Sequence, residues 1–212
     1  MVLGLRAAQI EPKTIFDVGA NRGQFGLAAA AAYPQAEIHC YEPLPRPYKE
    51  LARAFRSNPR VHCHPLALAD RQGTAQIRVA SQDQSSSLLP MHANHHRAYP
   101  HITEGEPTEI SLTTLEDEIQ RIQPVGPILL KIDTQGYEWP VIQGAGAAIS
   151  KIQWLLLETS TQPMYEGEVL FEELGQRLSG LGFRFLFPAE IHRNLEGAPD
   201  QFDALFARES SC

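Results

Sequence analysis

Five carboxylates stand where apolar runs of the chain end: Asp17, Glu42, Asp70, Asp133 and Glu158. A carboxylate accepts hydrogen bonds, tolerates a cation beside it and takes up a proton, so one at such a place can grip hydroxyls, face a positive ligand or act as a base. The plainer reading is that each caps the helix or turn that follows. Asp17 lies near the end of the β-branched apolar run Thr14 to Val18, just before a glycine-rich turn, Gly19-Ala20-Asn21-Arg22-Gly23. Glu42 follows Gly19 by 23 residues. An acid at the tip of a second strand accepts hydrogen bonds from both hydroxyls of an adenosine ribose.

That acid fits a nicotinamide dinucleotide or S-adenosylmethionine equally, and the glycine turn separates them. The dinucleotide fingerprint requires G-x-G-x-x-G. Counted from Gly19, its second and third glycine positions hold Asn21 and Gln24. Asp17 also repels phosphates, whereas it tolerates the ammonium and sulfonium of S-adenosylmethionine, whose carboxylate can meet the helix start near Gly23.

Such a constellation needs a parallel sheet, because ligands of open α/β sheets bind outside the carboxyl ends of the strands. The chain supplies one in order. Thr14 to Val18 reads as a buried strand, and Gln24 to Tyr33, with its alanine run, as a helix. Glu37 to Tyr41 is a strand. Pro43, Pro45 and Pro47 break the chain before a helix over Tyr48 to Arg56, and Val61 to Leu68 is a third strand. The segments Ala75 to Ala80 and Ile110 to Thr114 read as an antiparallel pair around a long polar loop, residues 82–109, which carries Ser85 to Ser87 and His92, His95, His96 and His101. A loop of that length inside a domain is a lid or is mobile. Alternation then resumes: a strand over Ile128 to Asp133, a helix over Glu138 to Ile149, a strand over Ile152 to Glu158 and a helix over Val169 to Leu181. Phe183 to Phe187 and Asp203 to Ala207 are final strands joined by an excursion through Pro188 to Gln201. The pattern predicts one α/β domain over residues 1–212.

Composition bounds the rest. A hydrophobic content of 43% and a charged content of 20% support a full core, and the net charge of −7 disfavours a nucleic-acid backbone as partner. No apolar run approaches the ~20 residues of a membrane span, and the N-terminus makes a poor signal peptide. Cys40, Cys63 and Cys212 form no CxxC pair and read as free thiols, which with the above predicts a soluble, cytoplasmic protein. Lys131, alternating with Leu130 and Ile132, reads as a salt-bridge partner on the sheet face. Glu138 reads either as a first-turn carboxylate favouring its helix dipole or, with Asp133 and Glu158, as a hard oxygen ligand for Mg²⁺. The loop histidines match no zinc spacing.

The segment Asp17-Val18-Gly19-Ala20-Asn21-Arg22-Gly23 resembles the first motif of the FkbM-type methyltransferases. Tyr41-Glu42-Pro43, Ala67-Leu68-Ala69-Asp70 with Gly73, Ser85-Ser86-Ser87-Leu88, Thr114-Leu115-Glu116, Leu130 to Glu138 and Ile142-Gln143-Gly144-Ala145 resemble later ones. The resemblance implies the class I, Rossmann-like three-layer sandwich: a mostly parallel seven-stranded sheet with an antiparallel last strand, here with a small β-hairpin insertion. It implies S-adenosylmethionine as donor, S-adenosylhomocysteine as product, and methylation of a hydroxyl on a saccharide or natural-product-like small molecule. Asp17, Gly19, Asn21 and Gly23 would surround the methionine part, Glu42 and Pro43 the ribose, and Ala69 with Asp70 the adenine edge. Asp133 would sit beside the methyl and be the first choice of base, with a histidine of the 92–101 group second. Ser87, His92, His96, Glu138 and Glu158 are assigned to the acceptor. Glu116 replaces the family's usual Asp. Few residues precede the first strand, which shifts closure of the acceptor end to the 82–109 loop. A catalytically inactive adenosine-cofactor-binding module and a nicotinamide-dependent oxidoreductase are the competing readings.

Overall fold

The computed structural model describes residues 1–193, 197 and 199–209. In chain order its elements are α1 (Val2–Ala7), β1 (Thr14–Val18), α2 (Gln24–Ala32), β2 (Glu37–Tyr41), α3 (Pro45–Phe55), β3 (Val61–His64), β4 (Ala67–Ala69), β5 (Gly73–Ala80), α4 (Ala93–Ala98), β6 (Glu104–Thr114), α5 (Leu115–Ile122), β7 (Ile128–Ile132), α6 (Glu138–Gln143), β8 (Trp154–Ser160), α7 (Phe171–Gly180), β9 (Phe183–Arg193) and β10 (Pro199–Arg208). Seven strands form one sheet in the order β3-β2-β1-β7-β8-β10-β9. β1, β2, β3, β7 and β8 pair in parallel, and β10 runs antiparallel to both β8 and β9. This is the mixed α/β, seven-stranded class I architecture.

Strand periodicity sorts the core into two layers. Ile15, Ile38, Leu129, Leu156 and Leu205 pack against α1, α2 and α3. Phe16, Val18, Leu130, Ile132, Leu155 and Leu157 face α5, α6 and α7. Every residue of β1 and β7 is buried, as central strands covered on both faces must be. Each fully buried Leu, Ile or Phe contributes about 1.5–3 kcal/mol, so this sandwich rigidly fixes the strand ends that carry the site.

Several boundaries differ from the sequence expectation. The third strand is two: β3 pairs with β2, while β4 leaves to pair with β6 in a second sheet ordered β4-β6-β5. Pro65 stands between them and has no N–H for a ladder. β6 begins at Glu104, so part of the expected loop is strand, and α4 forms inside it. α3 begins at Pro45 rather than after the prolines, because the first N–H groups of a helix have no intrahelical partner and proline loses nothing there. The expected helix from Glu138 stops at Gln143 and continues as a 3₁₀ turn over Gly146–Lys151. α1 and α5 were not anticipated. Cys40 and Cys63 are free thiols, whereas Cys212 and part of the excursion between the last strands lie outside the described residues.

The turn after β1 is shaped by backbone contact. Gly19 has φ +76°, and a Cβ there would stand 1.9 Å from the Asp133 carbonyl oxygen. Only glycine lets the ends of β1 and β7 approach so closely. The turn is held by Gly19 and Ala20 N–H groups donating to the Tyr41 carbonyl at 3.1 and 2.9 Å. Three strand ends are thereby tied into one rim.

Candidate active site

A cavity of about 970 Å³ opens over that rim and is lined by residues following β1, β2 and β7 and by Glu158 within β8. At one end stands Glu42, 5% exposed. Its Oε2 accepts from the Asn21 N–H at 2.9 Å and its Oε1 from the Leu44 N–H at 2.8 Å. These bonds aim the carboxylate and leave further lone pairs on both oxygens for a ligand. Burial nevertheless dominates and pushes the carboxyl up to about 7. Gly19, Asn21 and Pro43 line the wall beside it, and Leu66, Leu68, Ile77, Leu88 and Ile110 give an apolar slot.

The 82–109 segment covers this end. Arg22, from the glycine turn, makes a two-pronged ion pair with Asp83, both contacts 2.6 Å, and also reaches Glu50 at 2.9 Å. Ser87 lines the cavity, yet its hydroxyl donates to the Gln135 carbonyl at 2.7 Å and accepts from the Leu89 N–H at 3.0 Å. Arg22→Ala is expected to speed amide exchange over residues 83–86 while lowering global stability by no more than about 1 kcal/mol, since the pair is partly exposed. Exchange mass spectrometry checks it; unchanged protection there would refute the clasp.

The middle of the cavity is a charge cluster. Lys131, buried at the floor, places Nζ 3.3 Å from each of Asp17 Oδ1, Asp133 Oδ2 and the Gly19 carbonyl. The Gly19 carbonyl and Asp133 Oδ2 accept hydrogen bonds from it, while Asp17 Oδ1 is an ion-pair contact. Burial lowers its affinity for a proton, but Asp133 and Asp17 outweigh that and hold it firmly charged. Burial likewise raises Asp133, and Lys131 with Gln135 overcomes it, keeping this carboxyl below the usual range. Gln135 sits at φ +58°, and its amide donates to Asp133 Oδ1 at 2.9 Å and to Glu158 while accepting from the Tyr165 hydroxyl at 2.7 Å. A left-handed glutamine costs roughly 1–3 kcal/mol, a strain typical of functional sites. Glu158, half-buried beside Asp133, is pushed well above the usual range by desolvation and by that neighbouring charge. The Gln135 amide bridges the two carboxylates.

Beyond the cluster the wall turns polar. His95, Tyr99 and His101 of the inserted segment face Glu158, His192, Arg193, Gln201 and Asp203 of the sheet across the same cavity.

A family model described as the methyltransferase FkbM domain matches residues 17–185. The chain belongs to the FkbM methyltransferase family. Among curated relatives of this FkbM-family chain, 2-O-methyltransferase NoeI of Sinorhizobium fredii is 24% identical over 86% of this chain and 76% of its own length. Methyltransferase sdnD of Sordaria araneosa is 27% identical over 92% and 80%. The crystal structure of methyltransferase FkbM from Methylobacillus flagellatus superposes with a TM-score of 0.59 at 14% identity, covering 93% of this chain, which spans 44% of that one. Magnesium protoporphyrin IX methyltransferase of Synechocystis, solved with bound SAM, gives 0.52 at 12% identity over 98% and 76%. These two likenesses establish the class I fold.

Of the residues assigned from sequence, Gly19, Asn21, Glu42, Pro43, Ser87, Asp133 and Glu158 line the cavity. Others do not. Asp17 is wholly buried beneath Lys131, so it acts on the cavity only through that ammonium. Gly23 is turned away; a Cβ there would meet Phe55 and Leu51 at 2.8 and 2.9 Å, so its role is α3 packing. Ala69 is buried, and Asp70 lies outside the cavity, bonded to Arg71 at 2.9 Å and the Tyr137 hydroxyl at 3.3 Å. His92 caps α4 through Nδ1, and His96 is exposed; the helix instead turns His95 inward. Read as a loop, residues 92–101 offer no periodicity with which to choose among these histidines. Lys131 was legible as a salt-bridge partner, and the structure pairs it with Asp17 and Asp133. Gln135, His192 and Asp203 were missed; Gln201 and Asp203 two apart on a strand were the available signal.

Glu138 is also corrected. Its Oε1 accepts from the Thr134 and Gly136 N–H groups at 2.8 and 3.2 Å and from the Thr134 hydroxyl at 3.1 Å, closing its own loop rather than reaching an acceptor or a metal. Among the described residues no group of three His, Cys, Asp or Glu is arranged to hold a metal ion, so the Asp133, Glu138 and Glu158 trio is not a Mg²⁺ site. Burial pushes Glu138 up to about 7 from 4.5. A folded-state acid raised in this way loses stability as pH climbs from its unfolded to its folded value. Glu138→Gln should therefore gain about 2–3 kcal/mol relative to the parent between pH 4 and pH 8. Urea denaturation at the two pH values tests this, and a constant difference would refute it.

Proposed function

We propose that this chain transfers a methyl group from S-adenosylmethionine to a hydroxyl of a saccharide or natural-product-like small molecule. The observation that carries the reading is Glu42: a buried carboxylate at the tip of β2, aimed by two backbone N–H groups, beside an apolar part of the cavity wall. Family membership and the relative named a 2-O-methyltransferase support the same chemistry.

When bound, S-adenosylmethionine supplies a methyl carbon already activated on a sulfonium. The chain's residues have four tasks. Glu42 accepts from the ribose hydroxyls. The slot by Leu68 and Ile110 excludes water from the base. Asp133, ionised and held by Lys131 and Gln135, presents negative charge that favours a cationic donor and faces the centre of the cavity. The polar wall of His95, Tyr99, His101 and Gln201 offers the donors and acceptors that a polyol requires. Alignment of donor and acceptor along one line then supplies much of the rate enhancement.

A thermal-shift panel tests the cofactor. S-adenosylhomocysteine is expected to raise the melting temperature, while NAD and ADP leave it unchanged. Stabilisation by NAD alone would replace this reading with an oxidoreductase. Transfer of labelled methyl to methyl glycosides tests the acceptor class, and transfer only to amine acceptors would reject it.

A further inference from the structure

We propose that His192, oriented by Asp203, is the catalytic base that removes the proton of the acceptor hydroxyl. The proposal rests on the O-methyl transfer reading above.

The antiparallel registers gather the groups. Gln201 stands opposite His192, and Asp203 stands opposite both Glu190 on β9 and Glu158 on β10's other neighbour, β8. Residues directly opposite share a face, as do residues two apart on one strand. Glu158, Glu190, His192, Gln201 and Asp203 therefore emerge together, and all five line the cavity that holds Asp133.

Asp203 is 2% exposed, and its Oδ2 has no hydrogen-bond partner within normal geometry; the group it faces is the His192 imidazole, whose Nε2 is 3.5 Å away. Burying a carboxylate is costly unless a cationic group or proton donor faces it, so this placement is explained by the imidazole. With Nε2–H turned to Asp203, the ring nitrogen left with a free lone pair is Nδ1. His192 keeps about two-fifths of its side-chain surface, so a ligand in the cavity can reach it.

The alternatives are weaker bases. Asp133 has both oxygens engaged by Lys131 and Gln135, which hold it below the usual range. Glu158 has Oε2 taken up by the Gln135 amide. His95 is buried, which pushes it down, as does His96. Around His192 stand Asp203 from β10, Glu190 from its own strand, Asp133 from β7, and the Met1 ammonium, which is spent on Glu190 at 3.5 Å. The neighbouring Asp203 carboxylate raises the imidazole above 6.5, burial opposes it, and Glu190 and Asp133 add to the rise. A base of this strength suits an alcohol whose proton becomes acidic only as its oxygen is alkylated.

The step balances without another reactant. The acceptor oxygen forms its bond to the methyl carbon as the carbon–sulfur bond breaks. The bonding pair leaves on sulfur as a neutral thioether, the hydroxyl proton passes to His192 Nδ1, and the imidazolium later releases it to water.

Two measurements test this on the whole chain. Ring ¹⁵N NMR should show His192 as the Nε2–H tautomer, titrating above 6.5 in the parent and lower in Asp203→Asn. A His192 titration indifferent to Asp203→Asn would overturn the dyad whether or not an acceptor is found. With labelled S-adenosylmethionine and a methyl glycoside that the parent methylates, kcat/KM should rise with pH to a plateau. His192→Asn should lose about 100-fold or more and the pH dependence, with S-adenosylhomocysteine affinity unchanged, and Asp203→Asn should move the rise to lower pH. Turnover by His192→Asn within about threefold of the parent would overturn His192 as base and leave the methyl-transfer reading standing. A parent that binds no S-adenosylhomocysteine would overturn that reading, and the proposal with it.

Discussion

Replacing Lys131 by Met should cost about 3–5 kcal/mol of stability at pH 8, because it strands the fully buried Asp17 and leaves the partly buried Asp133 without its counter-charge. In the parent, Asp133 is held below 3.8, so its contribution is present above that pH and disappears only in acid. Without the ammonium, Asp17, already raised by burial, rises further and Asp133 rises above its unfolded value, so the penalty grows as pH climbs past 3.8. The loss should therefore be small near pH 4 and full at pH 8, which urea denaturation at both values reads directly. Asp17→Asn combined with Lys131→Met should recover part of it, since one stranded charge is gone. An equal loss at both pH values would instead assign the role of Lys131 to packing, where Nζ lies 5.8 Å from the centre of the Phe25 ring. The experiment matters for function because the same ammonium holds the Gly19 carbonyl and keeps Asp133 ionised.

Glu42→Gln should weaken S-adenosylhomocysteine binding about 100- to 1,000-fold, or roughly 3–4 kcal/mol, since hydrogen bonds to a charged acceptor contribute about 1.5–3 kcal/mol each. The amide also turns an N–H₂ group toward a backbone N–H that now meets a carboxylate oxygen. In the parent the free carboxyl titrates near 7. Hydroxyl donors favour its ionised form, so affinity should be constant above about pH 7 and fall toward tenfold per unit below it. The variant should show no such slope. Calorimetry across pH 5.5 to 8.5 checks both effects. A parent affinity that ignores pH, or a variant that binds as well as the parent, would remove Glu42 from the ribose site.

The site was legible in the sequence where one residue's position follows from its neighbours along the chain. Glu42 directly follows a five-residue strand, Glu37–Tyr41, so its place at the rim needed only that strand to be parallel. Gly19 and Asp133 were placed by the same logic. Asp17 reads the same way and yet lies under the floor, because strand alternation fixes which face a side chain takes but not what covers that face. His92 and His96 failed for a related reason. An expected loop became a single helical turn and a half, and helical spacing presents His95 to the cavity while His96 faces solvent. Asp70 failed because Pro65 diverts the third strand into the second sheet, carrying its end away from the rim.

By itself, the sequence determined the alternation of strands and helices, the glycine turn and the acid that follows β2, since hydrophobic period and backbone stereochemistry are local properties. Only the tertiary structure decided which charges neutralise one another. Lys131 meets Asp17 across adjacent strands, and His192 meets Asp203 across a hairpin. Those meetings depend on strand order and register, which bring distant residues within a few ångströms. At that range in a buried site, the neighbour rather than the residue type settles which carboxylate is ionised and which ring accepts a proton.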